Sequence, residues 1–259
     1  MAEALLEPLL EAGVLEREGV CAAVATAASA ERLSTRHRIS VRTNASRAWQ
    51  APVVLLAVKP QSLDAAVAAA GAAVAAGRDG AEPGLLISVL AGVTLSRLQA
   101  LFAGWRCVRA VPNAPAQVRA GLTGLAFGAG VDASHRLRVR ELFAPVGEVH
   151  ELPESQLDAF LALTSSGPAF LALVAEALAD GAVASGLPRA LAQHLAQRTM
   201  AGTAALLDGA SLQPSALKDM VSSPAGTTMA GLRQLERSGL RSGLIEAVVA
   251  AAARSRELA

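Results

Sequence analysis

Strand and helix signals alternate through the first two-fifths of this 259-residue chain and then strand signals stop; that change of rhythm limits the fold more than any other feature. Short apolar runs alternating with helical segments call for a parallel sheet joined by crossover helices. Ala2 to Ala12 reads as an amphipathic helix stopped by Gly13, Val20 to Val24 as a strand, and Ser29 to Arg36 as a helix begun by a serine cap. Pro52 to Val58 is apolar without a break, which predicts a central strand buried on both faces. A helix is expected over Ser62 to Ala76, with Gly77 at its end. Leu85 to Leu90 then reads as a strand, Thr94 to Phe102 as a helix capped by Thr94, and Trp105 to Ala110 as a strand. Lys59, Gly92 and Pro112-Asn113 thereby fall at C-terminal strand ends, where open doubly wound sheets bind ligands. Gly121, Gly124, Gly128 and Gly130 read as turn glycines.

Beyond Pro153 the periodicity is helical to the end, with helices expected over Glu154 to Ser165, Gly167 to Ser185, Pro188 to Leu207, Pro214 to Ser222, Thr227 to Gly239 and from Gly243 onward. Pro168 and Pro188 suit first-turn positions, and Gly186 and Gly209 suit C-terminal caps. The expected division is residues 1–152, α/β, and residues 153–259, all-helical. Helices this rich in alanine, in a chain with 3% aromatic residues, pack their backbones closely, which is compatible with helices shared between subunits.

Lys and Arg number 23 against 22 Asp and Glu, without a basic block, so nucleic acid is not an expected partner. The apolar stretches Ala65 to Ala76 and Ala247 to Ala253 are interrupted by glycine or flanked by charge, and neither reads as a membrane span. The two cysteines, Cys21 and Cys107, lie in strand-like runs and read as buried free thiols; no metal site is suggested. The start, Met1 to Leu5, shows no export pattern, which makes the cytoplasm the default expectation.

Chemistry concentrates in Pro214 to Leu232, around Ser222-Ser223-Pro224-Ala225-Gly226-Thr227-Thr228. Its plain reading is a helix-to-helix turn in which Ser222 and Ser223 cap, Pro224 breaks and Thr227 opens the next helix. Its functional reading is an anion site, because free N–H groups and the dipole of a helix start attract a carboxylate and the Ser and Thr hydroxyls add directed hydrogen bonds.

The segment resembles the signature of pyrroline-5-carboxylate reductases, usually Ser-Pro-Gly-Gly-Thr-Thr between the same Leu-Lys-Asp and Ala-Gly-Leu flanks. Further phrases match in family order: Ala57-Val58-Lys59-Pro60-Gln61, Ser88 to Gly92 with Val93-Thr94, Pro112-Asn113-Ala114-Pro115, Ser165 to Phe170, and Arg254-Ser255-Arg256-Glu257-Leu258. The resemblance implies a Rossmann-like domain followed by a helical dimerisation domain, and reduction of 1-pyrroline-5-carboxylate to L-proline by NADPH, with NADH possible. It implies that the Ser223, Gly226, Thr227 and Thr228 turn holds the substrate carboxylate and that the Thr228 hydroxyl meets the imine nitrogen. It places Ala57, Val58, Lys59 and Pro60 along the coenzyme, Ala91, Gly92 and Asn113 near the nicotinamide, and Asn44 on the adenosine side. A homodimer or higher homo-oligomer with a small-molecule substrate is implied too.

The chain departs from the family pattern at several points. Ala225 replaces a usual glycine and is expected at ordinary negative φ. Ala114 and Met220 replace polar residues, and the four histidines fall outside every matching phrase. The family opens with a strand and a Gly-x-Gly-x-x-Gly/Ala turn for the pyrophosphate, whereas this chain starts at Met1-Ala2-Glu3-Ala4-Leu5, which matches the family segment just after those glycines. The expectation is a start placed at an internal Met, or a paralogue that has lost the loop. Two other readings stay open: a non-catalytic helical dimer, and a reductase of a related cyclic imine. For the coenzyme 2′-phosphate, Ser29 and Arg32 are the candidates after the second family strand.

Overall fold

The computed structural model describes residues 1–71 and 83–258, and they divide into two compact units, Met1–Ser165 with Ala251–Ala259, and Ser166–Ala250. The first unit carries α1 (Ala2–Glu11), β1 (Cys21–Ala23), α2 (Ala27–His37), β2 (Ser40–Arg42), β3 (Val53–Leu56), α3 (Leu63–Ala70), β4 (Gly84–Ser88), α4 (Leu95–Leu101) and β5 (Trp105–Pro112). It continues with β6 (Gly121–Phe127), α5 (Ala133–Phe143), β7 (Gly147–Glu151) and α6 (Leu157–Thr164). The part of the expected Ser62 to Ala76 helix beyond residue 71, and Gly77, lie outside the described residues.

Five strands pair in the order β3-β4-β5-β6-β7, parallel except for the β5–β6 pair, while β1 and β2 form a separate parallel two-stranded sheet. This is the expected Rossmann-like α/β class. Strand alternation sends Leu86 and Cys107 into one core with Trp49, Leu98, Phe102 and Trp105, and Leu85, Ile87 and Val108 into the other with Leu5, Leu9 and Phe143. Helices thus cover both faces, as an apolar strand run requires. Trp49 stacks on Phe102 at 5.6 Å and meets Trp105 edge-on at 5.7 Å. Burial pushes the Cys107 thiol up to about 11, because a thiolate loses its hydration there; Cys21 is only half-buried, against expectation.

The central place expected for Pro52 to Val58 needs correction. Among the described residues β3 pairs only with β4, so it is an edge, although its side chains reach both cores. An apolar run reports that both faces are covered; it says nothing about the edges. Gly121 and Gly124 are also not turn residues. They lie inside β6, where an added Cβ would come within 2.7 Å of the Val146 carbonyl and 2.8 Å of the Phe160 ring. Close packing, not a bend, requires them. The α2 cap is Thr26, whose Oγ1 accepts the Ser29 N–H at 3.2 Å, rather than Ser29 itself.

The second unit holds α7 (Gly167–Ala184), α8 (Arg189–Gly209), α9 (Pro214–Met220), α10 (Thr227–Arg237) and the first part of α11 (Leu240–Glu257). Pro168 sits in the first turn of α7, Pro188 is the N-cap of α8, and Gly186, with φ +104°, follows the end of α7. Within the helical run Glu154–Ala184 an 18-residue window has mean hydropathy 1.6, long and apolar enough by length and composition to cross a membrane, and 17% of that window is buried within the chain. The run also carries four carboxylates, of which Glu154 and Asp158 pair with Arg109 and Asp180 pairs with Arg189.

Candidate functional site

The parallel register of β3, β4 and β5 brings their C-terminal ends to one edge of the sheet, so Ala57 to Pro60, Ala91-Gly92 and Asn113 line one rim. Val58, Lys59, Pro60 and Ala91 are exposed there and Ala57 is half-exposed. This open backbone rim fits a nicotinamide coenzyme lying across strand ends. Lys59 is the N-cap of a short 3-10 turn at Pro60–Ser62, and among the described residues its ammonium has no ion-pair partner. Asn44 follows β2, is exposed, and turns its Oδ1 onto the Ser46 N–H at 2.8 Å, which fixes the local bend and leaves its NH2 outward.

Gly92 and Asn113 are placed differently from the rest, because both are buried by protein. Gly92 has φ +73°, and an added Cβ would meet the Leu258 carbonyl at 2.6 Å. Asn113 donates from Nδ2 to the Thr164 carbonyl at 2.9 Å and accepts the Leu122 N–H on Oδ1 at 2.8 Å. Its amide therefore ties the end of β5 to β6 and α6, and what it offers a ligand is limited to one remaining N–H and one remaining lone pair on Oδ1.

The expected 2′-phosphate residues are largely engaged. Arg32 donates to Glu3 at 3.1 and 3.4 Å, and the Ser29 N–H is taken by Thr26. The guanidinium of Arg32 holds the Glu3 carboxyl below its usual value, with His37, Arg36 and the Arg32 charge acting the same way and burial opposing.

In the second unit the turn between α9 and α10 is built by Ser222 N–H to Asp219 O at 3.2 Å and Gly226 N–H to Ser223 O at 3.0 Å. Ala225 adopts φ +56°, correcting the expected negative φ: here the chain uses the left-handed region that glycine enters without penalty. Gly226 is the N-cap of α10, and a Cβ there would collide with Ser223 Oγ. Neither Ser222 nor Ser223 caps the helix; α10 has no side-chain cap, and Ser222 Oγ is buried without a partner among the described residues. The first helical bond runs from Ala230 N–H to Gly226 O, so among the described residues the N–H groups of Thr227, Thr228 and Met229 are unpaired at the helix start. Thr228 is half-buried beside them, and its hydroxyl has no partner among the described residues. Ser223 and Thr227 are exposed. Uncapped N–H groups, a positive dipole end and a free hydroxyl can hold a carboxylate and donate or accept one further hydrogen bond.

Sequence reasoning missed a buried ionic cluster. Arg109, 2% exposed, donates to Glu154 at 3.2 Å and faces Asp158 at 3.6 Å. Glu154 Oε1 also accepts the Leu95 N–H at 2.7 Å, and Asp158 accepts the Ser255 hydroxyl at 2.7 Å. The available signal was an arginine between Val108 and Ala110 in an otherwise apolar strand, since a buried charge needs partners.

Residues 154–258 match the family model described as pyrroline-5-carboxylate reductase dimerisation, and residues 1–92 match that described as NADP oxidoreductase, coenzyme F420-dependent. The pyrroline-5-carboxylate reductase of Synechocystis sp. is 42% identical over 259 residues, covering 100% of this chain and 94% of the relative. That of Arabidopsis thaliana is 37% identical over 259 residues, covering 100% and 92%. Among solved structures, a pyrroline-5-carboxylate reductase from Coxiella burnetii superposes with a TM-score of 0.88 at 29% identity, over 100% of this chain and 94% of that one. Likeness of this extent, in sequence and in fold together, means that the chain belongs to the pyrroline-5-carboxylate reductase family.

Proposed function

We propose that this protein reduces 1-pyrroline-5-carboxylate to L-proline with NADPH, residues 1–152 serving the coenzyme and residues 153–259 the substrate and the homodimer or higher homo-oligomer. The observation that carries the substrate half is the uncapped start of α10 with the free Thr228 hydroxyl beside it. The carboxylate lies on the N–H groups of Thr227 and Thr228, within the turn that Ser223 and Gly226 shape. The Thr228 Oγ hydrogen-bonds the ring nitrogen and so fixes which face of the C=N bond is presented. A bound reduced nicotinamide supplies the hydride to the imine carbon, and the C=N π electrons pass to the nitrogen. Because an imine of this kind is already protonated near neutral pH, the residues contribute orientation rather than strong acid catalysis. This agrees with a site built from a turn and hydroxyls. NADPH is favoured by the family model over residues 1–92.

The test is coenzyme oxidation with 1-pyrroline-5-carboxylate, wild type against Thr228→Ala. Losing one hydrogen bond that tightens in the transition state lowers kcat about tenfold while coenzyme affinity holds. An unaltered rate removes Thr228 from the mechanism, and absence of turnover in the wild type with this imine removes the substrate assignment.

A further inference from the structure

No step of the reduction uses the C-terminal phrase Arg254 to Leu258, yet the whole phrase belongs to the coenzyme-side unit, and two of its residues make close contacts there. Leu258 lies with its backbone against Gly92, close enough that only a glycine fits: an added Cβ would be 2.6 Å from its carbonyl oxygen and 2.8 Å from its carbonyl carbon. Leu258 is held in turn by its N–H donating to the Ser255 carbonyl at 3.2 Å. Ser255 is 4% exposed, and its hydroxyl donates to Asp158 Oδ1 at 2.7 Å.

The loop that carries Ala91 and Gly92 is bracketed on every side by this cluster. Its entry, Ser88 at the end of β4, pairs in register with Arg109. Its middle, Gly92, rests on Leu258. Its exit, Leu95, gives its N–H to Glu154. Arg109 faces both Glu154 and Asp158, so all three brackets converge on one buried guanidinium and two carboxylates. Only Ala91 faces outward.

We infer that the C-terminal turn is a clasp on the 89–94 loop, and that Ser255 is a positioning residue which, through Asp158 and Leu258, holds Ala91 and Gly92 in the shape the coenzyme meets. Without the Ser255 hydroxyl, Asp158 loses its shortest donor and the Leu258 turn loses its anchor. The loop then samples shapes that bind coenzyme less well. The inference rests on the reading of Ala91 and Gly92 as coenzyme residues.

The experiment compares the full chain with Ser255→Ala and Ser255→Thr. Hydrogen exchange in the unliganded protein should quicken about tenfold over residues 89–95 in Ser255→Ala while β5 is unchanged, with Ser255→Thr nearer wild type. NADPH titration should show Kd raised about five- to tenfold, with kcat at saturating coenzyme close to wild type. Exchange that stays the same over 89–95, or that rises equally in β5, overturns the clasp and leaves Ser255 as ordinary packing. If the wild type binds no NADPH, the coenzyme reading itself falls, and the exchange comparison alone decides the clasp. Should Ser255→Ala fail to fold, Leu258→Gly carries the same measurements, since its side chain is 55% exposed and its loss frees the backbone that Gly92 rests on.

Discussion

Ala225 holds φ +56° at an exposed position of the turn that precedes α10. A left-handed alanine costs about 1 kcal/mol relative to glycine, whereas the greater freedom of an unfolded glycine returns about 0.5 kcal/mol of that. Ala225→Gly should therefore stabilise the protein by about 0.5 kcal/mol in urea unfolding, with m unchanged; a destabilised variant would remove the left-handed turn. The word around this position was legible in the sequence, down to Thr228, because a turn between two helices is punctuated by local residue types. The sign of φ at Ala225 was not, since alanine is ordinarily found in the right-handed region and nothing adjacent announces otherwise. Arg109 and Ser255 were illegible for a different reason: their partners, Glu154 and Asp158, lie 45 and 97 residues away along the chain.

At the level of elements, α1 and α2 are joined by Glu3 with Arg32, Arg36 and the buried His37, and by Glu7 with Arg36. The hydrogen bond from Arg32 leads in holding the Glu3 carboxyl below its usual 4.5. A carboxyl whose folded value is depressed contributes stability that is complete above the unfolded value and is lost as pH falls through the folded one. The stability difference between wild type and Glu3→Gln should thus be largest near neutral pH and close progressively below about 4.5. Chemical unfolding of the pair across that range checks it, and a difference independent of pH would assign the effect to packing. The pair is more than a third exposed, so the difference should be small. The helix start at Thr94 and the parallel strands β3 to β5 were read from caps and apolar runs alone. The strand β6 was hidden by its own glycines, which neighbouring segments require, and β3 gave no sign of lying at an edge.

For the whole molecule, the second unit leaves Leu171, Leu173, Leu178, Ile245 and Val249 exposed, with Leu173 at 66%. An isolated chain gains nothing from such a surface, and a second copy burying it in a symmetric interface counts each contact twice. Leu173→Arg should weaken the dimer about 100-fold or more, since burying one leucine stabilises by about 1.5 to 3 kcal/mol and both copies lose it. Sedimentation across a concentration series reads this directly, and an unshifted association would place Leu173 outside the interface.

The parallel strands β3 to β5, the change from an α/β part to a helical part, the family, and the short phrases that carry the site were written in the residues, because each depends on neighbours a few positions apart. Folding alone established which strand is an edge, that Gly92 rests on Leu258, that Asn113 spends its amide on Thr164 and Leu122, and that Arg109 gathers Glu154 and Asp158. Those facts are contacts between distant segments, and their energy comes from burial and pairing that exist only once the chain has closed on itself.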